Sequence, residues 1–586
     1  MSDNVICNTL YFLQKCQLLL SQIEGRQEWI NEINECQKEL EIYKINHPLY
    51  EYCLSFITDK IIHPFLQELD IIFNSQDVVR ELQKYELNFN YVIKRLSLIR
   101  EFIPNVVKVP LDDLFCKPQT DEEWIQLNRY IEYVNLDDPL SLSKQFDQFY
   151  DYIAMGAAYC TLGSKYQNQL ISLIVQNVGG AVMLVKKQTA RNIKTKEITN
   201  PSLSFVKGLW SIQNNSTFFK NFMKLTNCRV KSHLKIHVPF LFRENQFKYH
   251  HDNNNTYVQE KFKGFRMVDD LYNKLQGKEL LLKQKQQKIK VRILSANKIV
   301  LYKDVDYVQL VQRITELSSE HHQISQINQQ QENRNIKIKK VVLHIHGGGW
   351  IAMSSFSHQS YTRKWANYLG EDTIVFSIDY RLAPEYRYPY ALEDVWQLYL
   401  WIINFSQFYL NISIEQIVLA GDSAGGNMAL GVCFRAIKYG IRIPDGLLMA
   451  YPAVNLDFTK FNPYLLQGLI DQVAPATVLK LALHEYLKDT NAKPNVDPYL
   501  SPLIADDSFL LKLPKMTIMC GQLDSLTGDT IKFVNRLRKL EKQFRMLIYN
   551  GINHGFLNFE VPIFAVPAIK PLIENSCDLL KQLFNQ

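Results

Sequence analysis

From about Ile338 to the C-terminus, short apolar runs rich in β-branched residues alternate with stretches of helical periodicity. The runs are VVLHIH, DTIVFSIDY, QIVLAGDS, DGLLMAYPA, MTIMCGQLD and RMLIYNGINH. Between them lie Ser360–Leu369, Ala391–Asn404, Gly426–Tyr439 and Asp529–Lys542, where apolar residues recur three and four apart. Alternation of this kind folds into a mostly parallel sheet covered by helices on both faces. In such sheets ligand chemistry collects at the carboxyl ends of the strands. The pattern predicts an α/β domain over residues 337–586.

The rest of the chain reads differently. Its 586 residues suffice for two sizeable cores. A hydrophobic share of 47% and a charged share of 21% exclude wholesale disorder. The formal charge of +7 is too mild for nucleic acid to be the main partner. Residues 1–276 are expected to form a mainly helical N-terminal domain. Cys7–Ile23, Tyr50–Glu68 and Pro139–Ile174 carry helical spacing, and Phe218, Phe219 and Phe222 follow Trp210. Residues 277–336 read as a connector, opening on the Lys/Gln run GKELLLKQKQQKIK. It continues with two short strands, VRILSA and KIVLYKD, and a flexible Gln/Asn-rich loop, HHQISQINQQQENRN. In that loop His321 and His322 have no further ligand at metal-binding spacing and read as a solvated pair.

The opening residues lack a basic segment and an unbroken apolar core, so they read as an amphipathic helix and not as a signal peptide. No run reaches the 18 or so apolar residues of a membrane span. The ten cysteines contain no CxxC pair and read as free, mostly buried thiols. A cytoplasmic protein is the expectation, which makes the sequons at Asn214, Asn215, Asn254, Asn404 and Asn411 chance matches.

The chemistry sits in the last 250 residues or so. Gln416–Ala420 runs into Gly421-Asp422-Ser423-Ala424-Gly425-Gly426, with a helical pattern behind it. This is Gly-x-Ser-x-Gly in a strand–turn–helix setting, which pushes the serine out at the top of the sheet. A serine hydroxyl is a weak nucleophile and needs a base beside it. On this fold the order is serine, acid, histidine. His484 and His554 are the histidines that follow Ser423. His484 lies within a helical stretch, whereas His554 follows an apolar run and sits where a strand-end loop can present it. Asp524 closes MTIMCGQLD and fits the acid. Asp529 is the runner-up, although its position suits a helix N-cap, and Asp497, Asp506 and Asp507 read as turn residues. Upstream, VVLHIH leads into His346-Gly347-Gly348-Gly349-Trp350. A glycine-rich loop after a strand, ahead of the nucleophile, is placed to supply oxyanion amides from Gly348 and Gly349, joined by that of Ala424. The set predicts acyl transfer to water, with no metal or organic cofactor.

These motifs resemble the hormone-sensitive lipase family of α/β-hydrolases. The matching segments are His346–Trp350, Asp379-Tyr380-Arg381-Leu382-Ala383-Pro384-Glu385, Gly421–Asn427, Asp497-Pro498-Tyr499 with Ser501-Pro502-Leu503, and His554-Gly555-Phe556. Tyr439–Gly446, and Ser357-His358 followed by Trp365, look like the animal members in particular. Over the N-terminal half, the helix-rich character and the segment around Trp210 resemble the family's amino-terminal domain. The resemblance maps nucleophile, acid and base onto Ser423, Asp524 and His554, and the oxyanion glycines onto Gly348 and Gly349. At the acid the family usually has Asp-Pro-Leu followed by Asp-Asp, where this chain reads Asp524-Ser525-Leu526-Thr527-Gly528-Asp529. The long phosphorylated insertion of the mammalian enzymes has no counterpart between Ala453 and Val496, a stretch that looks like a helical lid at 457–490.

The resemblance implies an α/β-hydrolase fold behind a helical N-terminal domain, acting on neutral-lipid esters such as acylglycerols or sterol esters. It also implies recruitment from the cytoplasm to lipid droplets and leaves a homodimer open. Two alternatives remain at this stage: a carboxylesterase for small soluble esters, and a non-catalytic ligand-binding receptor on the same fold.

Overall fold

The computed structural model describes residues 2–23, 25–43, 47–136, 142, 144–149, 151, 187–211, 227–239, 288–302, 338–560 and 566–585. The Gln/Asn-rich stretch with His321 and His322, most of Pro139–Ile174, and Phe218, Phe219 and Phe222 lie outside these residues.

Among the described residues nine strands form one sheet. They are β1 (Ile131–Val134), β2 (Ser232–Pro239), β3 (Lys288–Ser295), β4 (Lys340–Ile345), β5 (Thr373–Asp379), β6 (Gln416–Asp422), β7 (Gly446–Ala450), β8 (Met516–Gly521) and β9 (Phe544–Tyr549). Their order is β1-β9-β8-β7-β6-β4-β5-β3-β2. From β1 through β5 in that order every pairing is parallel. The β3 strand then runs antiparallel to β5, and β2 antiparallel to β3. The central strands are apolar almost without a break because both of their faces are covered. One face packs on helices α10 (Tyr390–Leu410), α11 (Ala424–Tyr439) and α13 (Thr527–Lys539). The other packs on α9 (Gln359–Tyr368) and α14 (Lys570–Asn585).

The expected division at residue 276 does not separate the sheet, since β1 and β2 come from the N-terminal half and form its two edges. In β1, Ile131 pairs with Met546 of β9. In β2, Leu234, Ile236 and Val238 alternate with exposed Lys235 and His237, as suits an edge strand with one face in the core. A second correction concerns the connector: VRILSA lies in β3, but no strand forms over 298–302 of KIVLYKD. Its amides go elsewhere, Ile299 N–H to Ser232 Oγ (2.8 Å) and Tyr302 N–H to the Tyr409 carbonyl (2.9 Å). The backbone is satisfied without a ladder partner.

Ahead of the sheet, α1 (Ser2–Leu20), α2 (Gln27–Ile42), α3 (Pro48–Ile57), α4 (His63–Phe73) and α5 (Val78–Val106) build a separate helical core. That core also takes in Phe461, Leu465, Leu466 and Leu469 from the 457–490 segment. The segment holds a 3₁₀ turn (Pro463–Leu469) and, after α6 (Glu122–Asn128), α7 (Lys187–Thr199) and α8 (Leu203–Trp210) earlier in the chain, the helix α12 (Ala476–Leu487). Its first part is therefore anchored among the N-terminal helices, and its second part packs on α7 and α8. The nine described cysteines are free, six of them buried.

Candidate active site

The β6 strand ends at Asp422, and α11 begins at Ala424, so Ser423 occupies the turn alone. Its backbone is left-handed, φ 55° and ψ −118°, a conformation that costs a non-glycine residue energy. The turn is tolerated because its neighbours hold it: Ser423 N–H donates to the Ala450 carbonyl (2.9 Å), and Gly426 N–H to the Ser423 carbonyl (3.0 Å). Glycine is required at Gly425, where a Cβ would stand 1.9 Å from the Ile345 carbonyl oxygen.

Asp524, His554 and Ser423 come together at the ends of β6, β8 and β9. The Asp524 carboxylate can only accept, so the proton it receives fixes the imidazole tautomer. His554 Nδ1–H donates to Asp524 Oδ2 at 2.9 Å, and Ser423 Oγ–H donates to His554 Nε2 at 3.0 Å. Asp524 is fully buried and takes a second bond at Oδ1 from Leu526 N–H (2.8 Å). Burial works against the His554 imidazolium. The charge and hydrogen bond of Asp524, followed by the charges of Asp471 and Asp422, outweigh it and raise the histidine above its ordinary value.

Gly348 and Gly349 adopt φ values of 105° and 58°, and their N–H groups make no hydrogen bond among the described residues. The Ala424 N–H, in the first turn of α11, has no intrahelical acceptor either. Three unused amides thus lie on the two segments, the glycine loop and the start of α11, that meet at the head of β4 and β6. The loop is roofed by two elements far away in sequence. A Cβ on Gly349 would stand 3.1 Å from Ala482 of α12 and 3.2 Å from the ring of Trp210 in α8. The Trp350 ring stacks on Tyr486 of α12, with centroids 4.6 Å apart. Trp210 Nε1–H in turn donates to the Val473 carbonyl (3.1 Å).

Sequence reasoning missed Asp422, the residue between Gly421 and Ser423. Its buried carboxylate accepts from Gly347 N–H and from Tyr361 O–H, both at 3.0 Å, while His358 Nε2 lies 3.4 Å from Oδ2. Burial would raise this carboxyl, but the His358 and His344 imidazoles hold it well below the usual range. An acidic residue closing an apolar strand was the available signal. The runner-up acid is corrected: Asp529 is not an N-cap but lies inside the first turn of α13, 3% exposed, accepting from Asn462 Nδ2 at 3.0 Å. Its carboxyl is pushed up to about 7, chiefly by burial. Asp497 is likewise buried, accepting from Tyr388 O–H (2.8 Å), whereas His484 is exposed on α12.

The family model described as the alpha/beta hydrolase fold matches residues 342–558. Bovine hormone-sensitive lipase is 42% identical over 160 residues, 27% of this chain and 21% of its own length. The arylesterase of Saccharolobus solfataricus is 30% identical over 223 residues, 37% of this chain and 68% of its own. Among solved structures, the Pyrobaculum calidifontis esterase is 20% identical with a TM-score of 0.45, covering 66% of this chain and 94% of its own. The chain belongs to the α/β-hydrolase family, and its resemblance to the hormone-sensitive lipase family holds over 160 residues, 27% of the chain. The match spans about a fifth of the length of the bovine lipase.

Proposed function

We propose that the protein hydrolyses carboxylic esters through an acyl-enzyme on Ser423. The observation that carries this reading is the pair of hydrogen bonds joining Asp524, His554 and Ser423. His554 Nε2 takes the Ser423 proton as Oγ attacks the ester carbonyl, and Asp524 steadies the imidazolium that forms. The oxyanion then falls to the amides of Gly348, Gly349 and Ala424, each worth roughly 10²–10³ in rate. When the tetrahedral intermediate collapses, His554 returns the proton to the departing alkoxide. Water, deprotonated by the same imidazole, frees the acid.

For the substrate we favour esters of neutral lipids, acylglycerols and sterol esters, met at a lipid-droplet surface. The similarity to hormone-sensitive lipases supports it. So does the N-terminal half, whose Trp210 lies over the glycine loop and whose helices hold the 457–490 segment. Among the described residues no helix is long and apolar enough to cross a membrane. The second reading, a carboxylesterase for small esters, draws on the arylesterase, which the chain covers more fully than the lipases.

One experiment separates the two: nitrophenyl esters of increasing acyl length, and a neutral-lipid panel read by mass spectrometry, with Ser423→Ala as control. Sustained rates on long chains and lipid products absent from the variant support the lipase reading. Rates that collapse beyond short chains support the second.

A further inference from the structure

The glycine loop is held at its front end by Asp422, through the amide of Gly347. Its rear end is held from the other half of the chain. Met353 N–H donates to Ser211 Oγ at 2.8 Å, across 142 positions of sequence. Ser211 is 8% exposed and is the C-cap of α8, its own N–H bonded to the Lys207 carbonyl (3.0 Å). The hydroxyl is therefore carried on a helix end whose backbone is fixed. One residue earlier, the ring of Trp210 stands against Gly349.

Met353 needs such a hold. Its φ of 72° is left-handed, a conformation that a non-glycine residue keeps only where its surroundings impose it. The position of Met353 is passed on to Gly348 by direct contact. The Gly348 carbonyl accepts from Ile351 N–H and Ala352 N–H, both at 3.1 Å, which folds the loop back on itself. A Cβ on Gly348 would stand 2.4 Å from the Ala352 carbonyl oxygen and 2.9 Å from Met353 Cγ. Gly348 and Met353 thus close one tight turn, and the backbone cannot shift at one without moving the other.

Resting on the reading of Ser423 as nucleophile and of Gly348 and Gly349 as oxyanion donors, we infer that Ser211 is a positioning residue for this hydrolysis. Its hydroxyl pins the backbone of Met353 and, through that turn, aims the Gly348 and Gly349 amides at the developing oxyanion. Ser211 touches no reacting atom. The N-terminal half thereby sets the geometry of an oxyanion site whose donors all come from the C-terminal half. Small displacements of such donors are costly in rate, because their worth lies in being aimed before charge develops.

The test compares two inhibitors of the full chain, hexyl trifluoromethyl ketone and the carbinol of the same skeleton. Ser423 Oγ bonds to the ketone carbon, the serine proton passes to His554, and the carbonyl π pair becomes an alkoxide in the oxyanion site. The carbinol fills the same space and forms no such charge. In Ser211→Ala the Ki of the ketone should rise by roughly tenfold, while that of the carbinol stays within about threefold of the wild type. The kcat/KM for 4-nitrophenyl butyrate should fall by the same factor as the ketone affinity. Ser211→Thr and Ser211→Val share one shape and differ in the hydroxyl, which covers the case that alanine disturbs the fold. The threonine protein should bind the ketone roughly tenfold more tightly than the valine protein. Ketone affinity unchanged in Ser211→Ala, equal losses for ketone and carbinol, or equal ketone affinities of the threonine and valine proteins overturn the inference. If Ser423→Ala abolishes hydrolysis of 4-nitrophenyl butyrate while Ser211→Ala matches the wild type, this inference falls alone. If Ser423→Ala hydrolyses that ester at the wild-type rate, the nucleophile assignment falls and takes it along.

Discussion

The backbone amide of Gly347 donates to the side chain of Asp422 at 3.0 Å, across 75 positions of sequence. The residue just before the serine thus holds the loop that carries the unused amides. Asp422→Ala would leave that amide, the Tyr361 hydroxyl and the His358 ring facing an empty buried site. Breaking a buried charged network typically costs about 3–5 kcal/mol. Urea unfolding should report a loss of that order, and kcat should fall at least tenfold as the loop loosens. Unchanged stability would remove Asp422 from its positioning role.

Asp524 and Asp529 compete for the acid in sequence but not in space. Asp524→Asn should lower kcat by roughly 10⁴, because the tautomer that presents Nε2 to the serine is lost. Asp529→Asn should keep kcat within about tenfold of the wild type, since its partner is Asn462 in the 457–490 segment. Steady-state kinetics on a nitrophenyl ester ranks the two. The reverse order would contradict the site.

Asp529 also predicts a pH effect on stability. Its carboxyl sits at about 7 in the folded protein against an ordinary 3.8. Between those values the folded chain holds a proton that the unfolded chain releases. Stability from this group is present below about pH 4 and is lost as pH rises through about 7. The Tm of Asp529→Asn, relative to wild type, should therefore improve between pH 5 and pH 8, by about 2 °C or more. A difference that does not change with pH would contradict the assignment.

In the proposed mechanism the raised His554 sets the acid limb of the pH–rate profile. Only the neutral imidazole can accept the serine proton, so kcat/KM should climb with pH through an apparent pKa above the ordinary 6.5. Asp524→Asn, which removes the main group that raises it, should shift the limb to lower pH. A profile that falls with rising pH across this range would contradict the role of His554.

Trp210 joins the two halves of the chain at the glycine loop. Trp210→Ala removes its ring from above Gly349 and its bond to the Val473 carbonyl. A drop of about tenfold in kcat/KM for bulky esters is expected, on the scale of one lost aromatic contact and hydrogen bond. Unaltered kinetics would mean that the N-terminal half does not shape the site.

The six strand runs after Ile338 could be read directly, as could Ser423, Asp524 and His554, which the structure joins by hydrogen bonds, because local patterns carry them: apolar runs, a glycine-flanked turn, residues at strand ends. What escaped was whatever depends on a distant partner. The strand β2 had its alternation of Leu234, Ile236 and Val238 in plain sight, yet its setting in a helix-rich half hid it. β1 has four residues, too few for a period, and it exists because β9 offers an edge. KIVLYKD has strand composition but finds its acceptors on Ser232 and Tyr409. The place of Asp529 was set by Asn462, 67 positions earlier, and the 3₁₀ segment by helices more than 300 residues away.

Labelling with a fluorophosphonate probe tests the central claim most directly, since an unactivated serine reacts poorly with it. Peptide mass spectrometry of the labelled full chain should place the adduct on Ser423. The Ser423→Ala protein should carry none, and His554→Ala should label at least roughly 10³-fold more slowly. An adduct on another residue, or equal labelling of the Ser423→Ala protein, would contradict the account.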